Sequence, residues 1–338
     1  MTTNDTPAEV ALIGAGGIAG VHLAAWLALG ARVRVYSTAD AEELVARHQP
    51  AQVAPSLQHA LEGADIVDVC TPTFAHPDVV LAAAAAGCDV VCEKPLASSS
   101  VVAAELVDAC ERAGVQIFPA HVVRFFPEYA AMQKHVAAGG VGTVAVQRFT
   151  RSGSRPVRDW FGDDALSGGI VMDQMIHDLD FARWTAGEVE RVFARKVVGP
   201  DDDGGRGVVS AQAILTHTGG AISYVTGTWA PPGSAFRTTF EVAGTGGIVH
   251  HDSRARSPLT IDGGAAAESR GLLPGTAFTE SPFLTEMRAF LTAFNGGPPP
   301  PVNAADGLAA VRLAEAANAS IASGETVELS NDDVEVPA

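Results

Sequence analysis

Glu9-Val10-Ala11-Leu12-Ile13-Gly14-Ala15-Gly16-Gly17-Ile18-Ala19-Gly20 is the stretch from which the fold is read. A short apolar strand runs straight into a glycine turn, and Val21 to Leu29 continues as a helix. Strand, glycine turn and helix form the context in which Gly-x-Gly-x-x-Ala is a dinucleotide-binding fingerprint. Gly14 allows the tight turn, Gly16 lets a pyrophosphate approach the backbone, and Ala19 fills the small position where helix meets strand. Gly17 and Ile18 belong to the same turn, where free N–H groups and the helix dipole stabilise phosphate.

The next strand, Arg32 to Tyr36, ends at Ser37-Thr38. An acid at that place would bind the ribose 2′-hydroxyl and select NAD. Ser37 and Thr38 occupy it instead, with Asp40 further on and no arginine following, which tilts the expectation from NAD toward NADP. Asp65 to Cys70 reads as another strand, leading to Thr71-Pro72-Thr73, His76 and a helix from Pro77 to Ala86. The apolar run Val90-Val91-Cys92 then ends in Glu93-Lys94-Pro95, where proline stops the strand. Thr71, Pro72, Thr73, His76, Glu93 and Lys94 thereby join the glycine turn at the carboxyl edge of a parallel sheet, where ligands bind. Lysine is scarce, with three (Lys94, Lys134, Lys196) against nineteen arginines. One placed at a strand end suggests a compact ammonium able to change its pKa, the alternative being an ordinary Glu-Lys surface pair.

The pattern changes after His121, which divides the 338 residues into a first domain, 1–121, and a second, 122–338. The second half carries longer alternating strands (144–149, 192–198, 208–216, 221–228, 237–243) and closes with helices over 283–294 and 304–323. Such alternation with glycine turns predicts a mostly antiparallel sheet. Gly168-Gly169 feed a helix on which Asp173, His177 and Asp180 form a polar stripe, so that Asp173 and His177 can touch. A carboxylate beside an imidazole orients the ring and raises its pKa, as acid–base chemistry requires. Two such groups are too few for a metal, and none is expected. Arg124-Phe125-Phe126-Pro127 stands near the domain boundary, and Arg151 to Phe161 reads as a basic Gly/Pro-rich loop. Arg124, Arg151 and Trp160 are the candidates there for substrate contact, Trp160 by stacking on a sugar ring.

A formal charge of −17 argues against nucleic-acid or anionic-membrane partners. The uncharged apolar run Val79 to Cys88 is too short to span a bilayer. The polar start of the chain lacks a signal pattern, and the four cysteines (70, 88, 92, 110) form no Cys-x-x-Cys unit, so a cytoplasmic protein with reduced thiols is expected.

The glycine fingerprint, Glu93-Lys94-Pro95, Arg124-Phe125-x-Pro127 and Gly168-Gly169…Asp173-x-x-x-His177 occur in an order that resembles the glucose–fructose oxidoreductase/inositol dehydrogenase (Gfo/Idh/MocA) family. The resemblance extends to Glu286-Met287-Arg288-Ala289-Phe290 and the closing Gly324 to Leu329. It implies an α/β chain: an N-terminal Rossmann domain and a C-terminal α+β domain with a large, mostly antiparallel open sheet that forms a homodimer or homotetramer interface. It further implies that Lys94 lies by the nicotinamide and substrate hydroxyl, that His177 is catalytic with Asp173 its partner, and that the Lys94-Pro95 peptide is cis. The activity expected is hydride transfer between NAD or NADP and a secondary alcohol or ketone of a sugar or cyclic polyol. The alternatives are an NAD-dependent glycosidase working by transient oxidation and elimination, and a non-catalytic sensor.

Overall fold

The computed structural model describes residues 7–156, 158–200, 207–255, 259–262 and 280–329. The first six residues, and Val157 of the basic stretch, lie outside them. The chain forms two compact units, one of Met1–Phe125 with Glu280–Leu308 and another of Phe126–Thr279 with Ala309–Ala338.

In the first unit strands and helices alternate: β1 (Glu9–Ile13), α1 (Gly17–Ala28), β2 (Arg32–Tyr36), α2 (Ala41–Arg47), β3 (Gln52–Val53), α3 (Leu57–Leu61), β4 (Ile66–Val69), α4 (His76–Ala85), β5 (Asp89–Glu93), α5 (Ser100–Ala113) and β6 (Ile117–Ala120). The six strands pair in parallel in the order β3-β2-β1-β4-β5-β6. Val10–Ile13 and Ile66–Val69 are buried throughout, as strands covered on both faces must be. The order reverses between β1 and β4, and the carboxyl ends beside that switch point are where a doubly wound sheet opens a crevice.

The second unit begins with α6 (Pro127–Ala137), β7 (Val144–Ser154) and α7 (Asp164–Ser167), then makes a π-helical turn over Val171–Met175 into α8 (Ile176–Ala186). Strands β8 (Val189–Val198), β9 (Val209–His217), β10 (Ile222–Ala230), β11 (Arg237–Gly244), β12 (Gly247–Asp252) and β13 (Leu259–Asp262) follow. Two helices, α9 (Pro282–Phe294) and α10 (Ala304–Ser323), and the short β14 (Val327–Glu328) end the described chain. Its eight strands lie in the order β13-β12-β11-β7-β10-β9-β8-β14, antiparallel except for the parallel β7–β10 pair. One face packs inward: Ala211, Ala213 and Leu215 of β9 are buried, while Gln212 and Ile214 point out. Tyr129, Phe149, Phe181 and Phe240 fill that core, with the Tyr129 ring 5.0 Å from both Phe181 and Phe240.

The chain past His121 does not all stay in the second unit, because α9 returns to the first. Met287 and Phe290 are fully buried there, with Phe290 stacked 5.2 Å from Phe118 and edge-on to Phe125 at 5.9 Å. These residues share one core with Leu23 and Trp26 of α1. Apolar spacing in α9 shows that a face is buried, but not which core receives it. Among the described residues no helix is long and apolar enough to cross a membrane.

Candidate active site

At the first turn, Gly14 has φ +117°, and its N–H donates to the Tyr36 carbonyl at 2.8 Å. A Cβ at this position would stand 2.5 Å from the Cys70 carbonyl oxygen, so only glycine lets β1 turn so close to the end of β4. Gly16 caps α1 in an extended conformation with no side-chain cap, and a Cβ on Gly16 or Gly17 would meet nothing within 4 Å. Open space above bare N–H groups at the start of a twelve-residue helix suits a diphosphate. Gly17 and Ile18 supply the first helical N–H groups, and Ala19 is buried beneath. Nearby, Thr71 Oγ1 is buried and has no hydrogen-bond partner among the described residues. These features fit a dinucleotide.

At the end of β2, Ser37 is half-buried and accepts the Ala39 N–H at 3.4 Å, while Thr38 is exposed. Asp40 follows in a left-handed conformation (φ 64°) at the start of α2, whose first turn holds Glu42 and Glu43. No lysine or arginine occurs from 37 to 46.

Pro72 is half-buried and Thr73 buried at the carboxyl end of β4. His76, expected at the cofactor, is a buried brace: Nδ1 lies 2.9 Å from the Pro95 carbonyl and Nε2 3.0 Å from that of Thr71. Burial pulls its pKa below the ordinary histidine value, against the carbonyls and the Glu93 carboxylate, which favour the charged ring. At the end of β5 the Glu93 carboxylate accepts the Lys94 N–H through Oε2 at 3.0 Å, and the Lys94–Pro95 peptide is cis. From Val90 to Ala97 every residue is buried except Lys94.

Behind this edge lies a polar cluster that no sequence motif announces. His22, on the inner face of α1, is 0% exposed, with Nδ1 3.1 and 3.0 Å from the two Asp68 carboxylate oxygens. Trp26 Nε1 also donates to Asp68, at 2.7 Å. On the other side of the ring, Nε2 makes an ion-pair contact of 3.2 Å with Glu93 Oε1, off the line of a good hydrogen bond. Cys70 Sγ is 3.5 Å from His22 Nδ1, and its thiol is pushed up to about 12 by burial and by Asp68. From α9, Glu286 completes the group, fully buried and with neither carboxyl oxygen hydrogen-bonded among the described residues. A histidine recurring with Ala19, Leu23 and Trp26 on an apolar helix, and an aspartate inside Ile66-Val67-Asp68-Val69, were the available signals.

In the second unit Gly168 and Gly169 both have positive φ, and a Cβ on Gly168 would meet Met172 at 2.5 Å. The π-helical turn that follows is tied to β7 by Gln174, whose Nε2 donates to the Arg151 carbonyl at 3.0 Å. It lies against β10 where Gly227 leaves room for Met175. Such turns add a residue to the helical repeat and recur at functional sites. Between Ile170 and Ala182 only Asp173 and His177 are not fully buried. Asp180, the third member of the expected stripe, is buried, so the unburied part of the stripe ends at His177.

Both candidate substrate arginines are committed elsewhere. Arg151 lies inside β7 rather than on a loop, and its guanidinium grips Asp178 of α8 through two hydrogen bonds of 2.9 and 2.8 Å. The strand extends to Ser154 because β10 and β11 pair with it on either side as far as Ser152 and beyond. Arg124, also buried, donates to the Pro301 carbonyl at 2.6 Å and to Asp306 at 3.0 Å. Trp160 is half-buried and stacks on Phe161 at 3.8 Å.

Comparison with known proteins agrees with this geometry. Residues 8–121 match the model of an oxidoreductase family with an NAD-binding Rossmann fold, and residues 129–250 match the GFO/IDH/MocA C-terminal domain. A myo-inositol dehydrogenase of Streptomyces leeuwenhoekii is 32% identical over 93% of this chain and 98% of its own. A D-apiose dehydrogenase of Paraburkholderia graminis is 30% identical over 97% and 91%. The crystal structure of GenD2 from gentamicin A biosynthesis, in complex with NAD, superposes with a TM-score of 0.81 at 25% identity, covering 97% of this chain and 98% of that one. The glycine cradle and both matched domains assign this chain to the Gfo/Idh/MocA family of NAD-binding oxidoreductases.

Proposed function

We propose that this protein is a dehydrogenase for a secondary alcohol of a sugar or cyclic polyol, with Lys94, Asp173 and His177 as its acid–base groups. The observation that carries the reading is a pattern of exposure. Two otherwise buried stretches, Val90–Ala97 and Ile170–Ala182, leave only Lys94 in the first and Asp173 and His177 in the second unburied. An ionisable side chain left part-exposed within an otherwise buried run is open to a ligand, which makes these three functional candidates.

The bound nicotinamide supplies hydride acceptance or return. His177 takes the proton of the substrate hydroxyl as oxidation proceeds and gives it back in reduction. Asp173 orients the ring. The Lys94 ammonium polarises the substrate oxygen. Gly14, Gly16, Gly17 and Ile18 take the diphosphate, with Ala19 packing below, and Thr71, Pro72 and Thr73 line the edge beside it.

For the cofactor, the acids Asp40, Glu42 and Glu43 follow β2 in a stretch, 37–46, that carries no lysine or arginine. This acidic start of α2 disfavours a 2′-phosphate, so NAD is the preferred form, against the lean toward NADP drawn from Ser37 and Thr38 alone. The outward face of the second sheet, carrying Ile214, Ile222, Tyr224 and Ile248, supports self-association. Light scattering of Tyr224→Arg checks this, with a fall in mass expected.

The test is reduced-nicotinamide production from NAD⁺ and NADP⁺ across inositols, aldoses and sugar acids. Turnover is expected with NAD⁺, and His177→Ala and Lys94→Ala should each lower kcat by about 10²–10⁴. Retention of full kcat by both variants on a confirmed substrate would sink the assignment.

A further inference from the structure

We infer that His22 is a positioning residue for Lys94: its ring, with a carboxylate against each nitrogen, fixes the Glu93 side chain that takes the Lys94 N–H. The inference rests on the proposal that Lys94 is catalytic. The path is short and lies wholly inside the first unit: Asp68 to His22 Nδ1 at 3.0 Å, Nε2 to Glu93 Oε1 at 3.2 Å, and Lys94 N–H to Glu93 Oε2 at 3.0 Å. His22 itself is 0% exposed and so lies behind the edge rather than on it.

The charge state follows from what surrounds the ring. Trp26 of α1, Asp68 and Cys70 at the end of β4, Glu93 of β5, and Phe283 and Glu286 of α9 face it. A neutral imidazole has one N–H and would turn a lone pair toward one of two carboxylates, whereas imidazolium donates to Asp68 through Nδ1 and sets its positive charge against Glu93 at Nε2. Burial, the largest influence, pulls the pKa of His22 down, but Asp68 foremost, with Cys70, overcomes it and leaves the pKa well above the ordinary value. Burial, the largest influence, pushes the pKa of Glu286 well up and outweighs the opposing pull of His22, with Glu93 and Asp68 adding to the rise, which favours the neutral acid. The cluster therefore balances one buried cation against Asp68 and Glu93. Breaking it releases the Glu93 carboxylate, and with it the anchor of the Lys94 backbone. His76 holds the following residue from the other side through the Pro95 carbonyl at 2.9 Å, so Lys94 is fixed at both flanks by a buried histidine. A displacement of about 1 Å in a reacting group can cost 10²-fold in rate, so a buried anchor can govern turnover without touching substrate.

His22, Asp68 and Cys70 also lie close enough together to hold a metal. A metal at Nδ1 would need that nitrogen unprotonated, which makes the two readings exclusive.

The experiment uses the full chain. Nitrogen-15 NMR of labelled histidine at pH 8 should show a ring with both nitrogens protonated, and that signal should vanish in His22→Gln. A neutral His22 ring at pH 8, or one equivalent of bound metal in the purified protein, would overturn the inference. Hydrogen exchange of the peptide spanning Val91 to Leu96 should quicken about tenfold at the Lys94 amide in His22→Gln, and unchanged exchange counts against it. On a confirmed substrate, His22→Gln should lower kcat about 10- to 100-fold with cofactor KM little changed, and should lower it no further in a Lys94→Ala background. An equal loss in both backgrounds would mean a merely structural role. If His22→Gln does not fold, Glu93→Gln carries the same cycle, since it keeps an oxygen for the Lys94 N–H but removes the charge facing His22. If no substrate turns over, the dehydrogenase reading fails on its own, and the NMR and exchange results still decide the role of His22.

Discussion

Each unit buries an ionic group, and the two are built on opposite terms. In the second unit Arg151 and Asp178 match one cation to one anion through two parallel hydrogen bonds. Burial, the largest influence, pulls the arginine's pKa down, and Asp178 foremost overcomes it and leaves it above the ordinary value. The pair joins β7 to α8 as a fixed rivet. In the first unit one histidine faces Asp68 and Glu93, with Glu286 and Cys70 close by. Acids outnumber bases there, so the group settles by retaining protons. The difference teaches that buried charge has two uses: a balanced pair fixes geometry by matching one charge to another, and an acid-rich cluster fixes it only while its protons stay.

The largest effect should come from unbalancing the balanced pair. Arg151→Ala leaves Asp178 buried alone and should destabilise the protein by about 3–5 kcal/mol, read as a lowered denaturant midpoint. The paired replacement Arg151→Met with Asp178→Leu should recover most of that loss. A single variant as mild as a surface substitution would break the comparison.

Glu286→Gln tests the opposite construction, and its sign depends on pH. The folded pKa of Glu286 is raised above 4.5, so an unfolded chain releases a proton that the folded one keeps. Between pH 4.5 and the folded pKa, wild-type stability therefore falls by about 1.4 kcal/mol per pH unit from this residue. The amide carries no such penalty. Thermal melts should find Glu286→Gln close to wild type near pH 4.5 and more stable at pH 8. A variant less stable at pH 8 than at pH 4.5, relative to wild type, would show that the carboxyl is ionised in place.

The smallest effect sharpens the comparison within one molecule. The raised pKa of His22 contributes stability that is fully present below about pH 6.5 and is lost as pH rises through its folded value. Burial lowers the pKa of His76, which acts in the reverse sense, removing stability below the same point. Hydrogen exchange followed from pH 6 to pH 9 should therefore loosen α1 and the β5 edge while β7 and α8 hold steady. A uniform change across both units would erase the distinction.

Local signals carried most of the fold. The apolar run of β1, the glycines after it and the extended runs of β4 and β5 are each decided by neighbours in sequence, and the parallel order follows from their alternation with helices. Lys94 was legible because proline ends its strand, and Asp173 and His177 because they interrupt an apolar helix. What sequence hid was every partner across distance. Arg151 sits beside Gly153 and Pro156 and reads as loop, yet its strand is set by ladders to β10 and β11 and its charge by Asp178, 27 residues away. His22 looks like one polar residue on an apolar helix until β4 and β5 bring Asp68 and Glu93 against it. The π turn is set by packing against Gly227 and by Gln174, neither of which has a local signature.

The return of α9 to the first unit also sets an order of assembly on the ribosome. The segment up to Phe125 emerges with all six strands of its sheet, but without Met287 and Phe290 to cover Phe118 and without Glu286 beside His22. At ordinary elongation rates, the roughly 160 residues that intervene take about 10–30 s to synthesise. During that interval the nascent Rossmann sheet has an open aromatic seam and a histidine–carboxylate cluster uncovered on the side that α9 later closes. Newly made first units are thus exposed to chaperones until the second has been translated, and a nonsense mutation anywhere before α9 should yield an aggregation-prone fragment rather than a free nucleotide-binding domain.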